Sequence, residues 1–94
     1  MLCGHLLYKE YLTEFPNVSQ GKGGSRQIEK DKFVSLANDI GSDTNLSKFK
    51  DRDEARKALK KKARKSTGLI QYFILRAIIG WIIEKILSYY FVQK

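Results

Sequence analysis

The sequence predicts an all-α fold in which short amphipathic helices precede one C-terminal transmembrane helix, extended rather than compact globular. Residues 69–92 form an almost unbroken apolar run, long enough to cross a bilayer at ~1.5 Å per helical residue. Residues 48–65 hold ten Lys/Arg and three Asp/Glu, so nearly all of the net charge of +8 lies directly before that run. The remaining apolar residues recur at helical spacing.

The first unit, residues 1–16, is expected to contain a short helix over residues 4–15. Its apolar side chains lie at spacings of one, three and four, which indicates a helix with one apolar face: Leu7, Tyr8, Tyr11, Leu12 and Phe15. Pro16 ends this helix because proline cannot continue the hydrogen-bond pattern. Residues 17–27 are rich in glycine and serine, a composition typical of a flexible linker.

The next unit, residues 28–47, is expected to form a short helix followed by a turn. A stripe of apolar residues marks the buried side of the helix: Phe33, Leu36, Ala37 and Ile40. Gly41 is expected to close it as a C-terminal cap. If residues 69–92 lie in lipid, the rest of the chain is too short and too polar for a stable core of its own. We therefore expect the protein to gain order from a membrane, from its own copies or from a larger assembly.

The basic unit, residues 48–67, is predicted to be a helix beside the membrane. Asp51 and Glu54 have the spacing of a capping box at its start. Thr67 and Gly68 allow two interpretations, a break with Thr67 as a new N-cap or one long helix that continues. Six cations are predicted to contact lipid headgroups or an acidic partner: Lys57, Lys60, Lys61, Lys62, Arg64 and Lys65. Binding of nucleic-acid phosphates ranks lower, because no aromatic residue is interleaved with them.

The last unit, residues 68–94, is predicted to be a transmembrane tail anchor. Its thirteen Leu, Ile, Phe and Val residues favour insertion by roughly 6 kcal/mol. Three charged residues, Arg76, Glu84 and Lys85, each oppose insertion by up to ~3 kcal/mol. The net free energy of insertion is therefore close to zero. The alternative is an assembly outside the membrane in which such helices bury one another.

A helix this close to break-even is expected to need a second transmembrane helix, from a copy of itself or another protein. The predicted contact is a stripe of small and polar residues: Arg76, Ala77, Gly80, Glu84 and Ser88. We expect Arg76 and Glu84 to pair between chains. Four aromatic residues at the ends of the run match the membrane interface: Tyr72, Tyr89, Tyr90 and Phe91.

The sequence suggests a structural role and no catalysis. Cys3 and His5 are too few for a metal site, and we expect no cofactor, no metal and no catalytic residue. The predicted function is a small single-pass structural subunit that tethers a larger protein assembly to an anionic bilayer, with its N-terminus on the cytoplasmic side. A membrane-permeabilising oligomer of the holin or viroporin type is the first alternative, because Arg76, Glu84 and Lys85 could line a water-filled path. A basic helical protein bound to nucleic acid is the second.

Overall fold

Five α-helices make up the fold in a computed structural model that describes residues 4–41 and 48–90, with Tyr90 described for its backbone only. They are α1 (Gly4–Glu14), α2 (Lys30–Gly41), α3 (Arg52–Thr67), α4 (Leu69–Ile74) and α5 (Arg76–Tyr90). Two short 3-10 helices, Pro16–Gln20 and Gly24–Arg26, connect α1 to α2. No strand occurs in the described ranges. The prediction of an all-α fold is confirmed.

Helices α1 and α2 pack together through aromatic side chains. Tyr11 and Phe33 are fully buried, and their ring centroids lie 4.9 Å apart. The Tyr11 hydroxyl donates a hydrogen bond to the carbonyl of Arg26, in the segment expected to be a flexible linker. Val18 and Ile28 are also buried. The segment between α1 and α2 therefore contributes side chains to the core.

Helix α3 begins with the cap that its sequence encodes. The Asp51 carboxylate accepts a hydrogen bond of 2.8 Å from the Glu54 backbone N–H, which satisfies a donor that has no partner within the helix. Only a narrow stripe of α3 is buried, formed by Ala55, Leu59 and Ala63. Alanine at two of these three positions lets α3 lie close to α2 and α5, both of which it contacts.

The apolar run is divided into two helices at Leu75. Gly68 adopts a φ of 81° and ends α3, and its N–H donates to the carbonyl of Arg64. Thr67 does not cap the next helix, because its hydroxyl donates to the carbonyl of Ala63. Helix α4 has six residues and ends at Ile74. The next residue, Leu75, has a φ of −96° and a ψ of 12°, which depart from helical values. Helix α5 then has 15 residues.

The prediction of a single-pass transmembrane tail anchor is wrong. The membrane localisation with a cytoplasmic N-terminus, which followed from it, is wrong as well. Within residues 4–41 and 48–90, none of the helices combines the length and apolar character that spanning a bilayer requires. The physical reason lies in α5, where six large apolar side chains are buried against the rest of the protein: Ile78, Ile79, Ile82, Ile83, Ile86 and Leu87.

The predicted extended shape is also wrong. The radius of gyration over Cα atoms is 13.0 Å, close to the ~12 Å expected for a compact chain of this length. Helix α5 supplies the apolar surface that the other helices need, because it contacts α2 and α3 and its Trp81 meets Tyr11 of α1 at 5.1 Å between ring centroids. The residues predicted to lie in lipid therefore form much of the core.

Candidate functional site

Helix α4 presents a row of large apolar side chains to the outside. Gly68 and Leu75 set its two ends, and its apolar residues fall at positions that share one side of a helix. Between 62 and 77% of the surface of each is exposed: Leu69, Ile70, Phe73 and Ile74. Tyr72 is half-buried on another side of the helix, and the Arg64 guanidinium carbon lies 5.9 Å from the centre of its ring.

Five cations on α3 are exposed, and two of them border α4. The narrow buried stripe of α3 leaves most of its circumference in contact with water, which suits lysine and arginine. Lys60 lies beside Phe73, and Arg64 lies over Tyr72. Lys62 is half-buried. We call the exposed cations and the α4 row together the basic–apolar surface: Lys57, Lys60, Lys61, Arg64, Lys65, Leu69, Ile70, Phe73 and Ile74.

A groove opens at the edge of the basic–apolar surface, where α3, α4 and α5 meet. Its volume is about 330 Å³. Lys60 comes from α3, and Arg76 comes from the start of α5. The remaining lining residues are aromatic, aliphatic or glycine: Tyr72, Phe73, Ile79, Gly80 and Ile83. The groove thus has an apolar lining and two cations.

Glu84, predicted to pair with Arg76 of another chain, instead makes two ion pairs with α3. One Glu84 carboxylate oxygen lies 2.8 Å from Nη2 of Arg52, and the other lies 2.7 Å from Nη2 of Arg56. These contacts hold α3 against α5. The membrane-permeabilising alternative relied on charges inside a spanning helix, and the pairing of Glu84 with Arg52 and Arg56 gives it no support.

The other members of the predicted membrane-packing stripe lie on the outer side of α5. Arg76, Ala77 and Ser88 are exposed, and Gly80 is partly exposed. Small and polar residues on this side leave the large apolar residues for the core side, which is the usual arrangement for a surface helix. Only Arg76 and Gly80 of this stripe line the groove.

The predicted interfacial aromatics separate in the fold. Tyr72 belongs to α4, whereas the hydroxyl of Tyr89, in the last turn of α5, donates a 2.9 Å hydrogen bond to Glu10. The pKa of Tyr89 is raised above its usual range. The main cause is this hydrogen bond to a carboxylate, and partial burial of the ring is a smaller cause. The side chain of Tyr90 and all of Phe91 lie outside the described residues.

Lys85 and Trp81 attach α5 to α1. The Lys85 amine lies 3.8 Å from a Glu14 carboxylate oxygen and 5.3 Å from the centre of the Trp81 ring. The indole N–H of Trp81 donates to Glu14 at 2.8 Å. Lys85, counted above as a cost of insertion into lipid, therefore has a polar partner on α1.

The apolar residues of α4 could not be recognised as surface residues from the sequence, because they continue directly into those of α5 as one apolar segment. Gly68 before α4 was a signal for a break, and the three charges of the following helix were a signal for contact with polar groups. Neither signal indicates which of the two halves is covered by the rest of the chain.

The described residues contain no cluster of three or more His, Cys, Asp or Glu side chains that could hold a metal ion. Cys3, considered as a ligand, lies outside the described residues. Comparisons with protein-family models, with curated proteins and with solved structures find no match to this chain.

Proposed function

We propose that this chain is a small, non-catalytic structural subunit that docks onto an acidic partner protein within a larger assembly. The single observation that supports this most is the exposed row of α4. Four large apolar residues in one short helix remain 62–77% exposed, although the same chain buries six large apolar residues of the adjoining α5. A contiguous apolar patch with a polar border is typical of a protein–protein contact.

Burial of the α4 row would contribute substantially to binding. Complete transfer of one Leu, Ile or Phe side chain from water contributes about 1.5–3 kcal/mol. Part of this is offset by the lost freedom of two bodies that become one. Four such side chains close together supply enough apolar area for the centre of a contact, and the lysines of α3 form its polar border.

The sign of the charge beside α4 indicates the chemistry of the partner. The five exposed cations of α3 would attract an acidic surface and accelerate its encounter with this one. Arg52 and Arg56 do not belong to this set, because Glu84 already pairs with them. An acidic partner with apolar side chains at its centre matches both parts of the basic–apolar surface.

Single-stranded nucleic acid is the second candidate partner. Phe73 is 69% exposed and lies in the same groove as Lys60 and Arg76, an arrangement that could stack a base and pair with phosphates. Three of the four residues in the α4 row are aliphatic, and base stacking does not use aliphatic side chains. The acidic protein therefore accounts for more of the surface.

The proposal is tested by sedimentation of the tagged chain in extracts of the cells that naturally make it. We expect the wild-type chain to sediment with a larger complex, and two double variants to sediment alone. One variant removes apolar area, Ile70→Ser with Ile74→Ser, and the other reverses charge, Lys57→Glu with Lys61→Glu. All four residues are exposed, so stability should change by no more than about 0.5 kcal/mol each.

The matched control is Lys22→Glu with Lys30→Glu, which makes the same change in charge at exposed residues outside the basic–apolar surface. It should sediment as the wild type does. Sedimentation of the wild type alone, or equal behaviour of all variants, would contradict the proposed function. Loss of the complex after nuclease treatment would favour nucleic acid instead.

A further inference from the structure

The groove between α3, α4 and α5 has dimensions that restrict what can enter it. Its volume of about 330 Å³ lies at the lower end of the range for small-molecule sites, about 300–1,000 Å³. The floor includes Ile79 and Ile83, which are buried, and Phe73 forms part of its wall. A space of this size and lining has room for a large apolar side chain.

Gly80 keeps the groove open. It lies within α5, where glycine costs roughly 1 kcal/mol relative to alanine. A Cβ atom built at Gly80 meets no heavy atom within 4 Å, so the packing of the protein does not require glycine at this position. The consequence of glycine here is empty space beside Phe73 and Arg76, which a larger side chain would occupy.

The charges at the groove select an anionic occupant. Lys60 and Arg76 are exposed cations that contribute to its lining, and none of the described residues that line it is acidic. Glu84, one helical turn beyond Gly80, pairs with Arg52 and Arg56. A second copy of the chain would bring a further net charge of +8 to a positive surface, which disfavours self-association through it.

We propose that this groove receives a large apolar side chain from an acidic helical segment of the partner protein, whose carboxylates pair with Lys60 and Arg76. Such segments dock by placing one apolar face in a groove. The inference rests on the proposed function and specifies the position and chemistry of the contact. Leu69, Ile70 and Ile74 then meet further apolar residues of the same partner.

The probe is a synthetic helical peptide with one Phe, a Leu four residues later and glutamates on both flanks. It is titrated into the ¹⁵N-labelled full chain while the amide signals of Ile79 and Gly80 are followed. We expect saturable shifts of both signals. A peptide with lysine in place of each glutamate, and one with alanine in place of Phe, should each bind at least about tenfold more weakly, the equivalent of 1.4 kcal/mol.

Gly80→Leu is the decisive variant and Gly80→Ala its matched control. Leucine occupies part of the groove beside Phe73 and Arg76 and should weaken peptide binding by about tenfold or more, whereas alanine adds a single methyl group and should change binding far less. Both replacements raise helix propensity, so the melting temperature should not fall. If Gly80→Leu does not fold, Lys60→Glu with Arg76→Glu provides the same test, with an expected loss of about tenfold or more.

Unchanged binding by Gly80→Leu, or no shift of Ile79 and Gly80 up to about 1 mM acidic peptide, would overturn the inference. Binding that Ile70→Ser with Ile74→Ser removes but Gly80→Leu does not would overturn the groove and leave the proposed function standing. Two further outcomes would also overturn the inference. Shifts of these two signals by a dT12 oligonucleotide and not by the peptide would assign the groove to nucleic acid. A dimer that Gly80→Leu disrupts would assign it to a second copy of the chain.

Discussion

Helices α4 and α5 come from one apolar run and have opposite environments. The large apolar residues of α4 are 62–77% exposed, whereas Ile78, Ile79, Ile82 and Ile83 of α5 are at most 1% exposed. Helix α5 contacts α2 and α3, and its Trp81 packs against α1, whereas the main neighbours of α4 are α3 and α5. The comparison shows that apolar composition identifies side chains that avoid water but does not identify what covers them.

Replacing an isoleucine by alanine should lower the free energy of unfolding by very different amounts in α5 and in α4. Ile82→Ala should lower the free energy of unfolding by about 2–5 kcal/mol, because Ile82 is fully buried. Ile74→Ala should lower it by no more than about 0.5 kcal/mol, because Ile74 is 62% exposed. Urea unfolding followed by circular dichroism measures both. Equal losses would show that α4 is covered in the free protein.

The aromatic contacts that cover α5 should make stability sensitive to alkaline pH. Burial raises the pKa of Tyr11 to about 12, above the value of about 10 expected in the unfolded chain. The folded state therefore holds this proton more tightly, and the associated stability is fully present below pH 10. It should decline by roughly 2 kcal/mol as the pH rises from 10 to 12.

Tyr11→Phe tests this dependence. At neutral pH it should cost about 1 kcal/mol, because the hydrogen bond to the Arg26 carbonyl is lost, but its stability should fall less between pH 10 and 12. Tyr89→Phe separates the smaller contribution of Tyr89, whose pKa is also raised. Parallel pH profiles for wild type and Tyr11→Phe would refute the assignment to Tyr11.

Alanine substitution should have opposite effects on stability at two glycines: Gly68, which separates α3 from α4, and Gly80 of α5. Gly68 has a φ of 81° and a ψ of 163°, a region almost restricted to glycine, so Gly68→Ala should destabilise by about 2 kcal/mol. Gly80→Ala should stabilise by about 0.5–1 kcal/mol through helix propensity. A Cβ meets no atom within 4 Å at either position, so crowding does not contribute. Thermal unfolding checks both, and a stable Gly68→Ala would contradict the sharp turn before α4.

The ion pairs that attach α5 to α3 should contribute less to stability than the burial of Ile82 or the glycine at position 68. Glu84→Gln removes the charge that pairs with Arg52 and Arg56, and it should cost about 1 kcal/mol because all three side chains are partly exposed to water. Glu29→Gln, at an exposed glutamate just before α2, is the control and should have no measurable effect. If 0.5 M salt does not reduce the difference between them, the contact is not electrostatic.

Local features of the fold could be predicted from the sequence, because they depend on neighbouring residues. The stripe of Phe33, Leu36, Ala37 and Ile40 is buried as helical spacing indicates. Asp51 caps α3 through a residue three positions away. Each of these contacts repeats or ends within a few residues, so periodicity and capping patterns contain the information.

The environment of the apolar run could not be predicted in this way. Glu84 meets Arg52 and Arg56, and Trp81 meets Glu14, and these partners are far apart in the sequence. Without them the charges in the run had to be interpreted as costs of insertion into lipid. The near break-even sum was the one quantitative indication that these groups had partners in the protein. The groove needs three helices in their final positions. Lys60, Arg76 and Gly80 were candidate site residues, but nothing in the sequence indicates that they lie together.

The narrow contact of α3 with its neighbours, through Ala55, Leu59 and Ala63, has an evolutionary consequence. Lysines such as Lys57 and Lys61 project away from this seam, so their replacement scarcely alters how the chain folds. If the proposed partner binds these lysines, natural variation could adjust the strength and ionic-strength sensitivity of that association one lysine at a time. Under the proposed function, the residues of α3 that would recognise the partner are therefore separate from those that hold α3 in the fold.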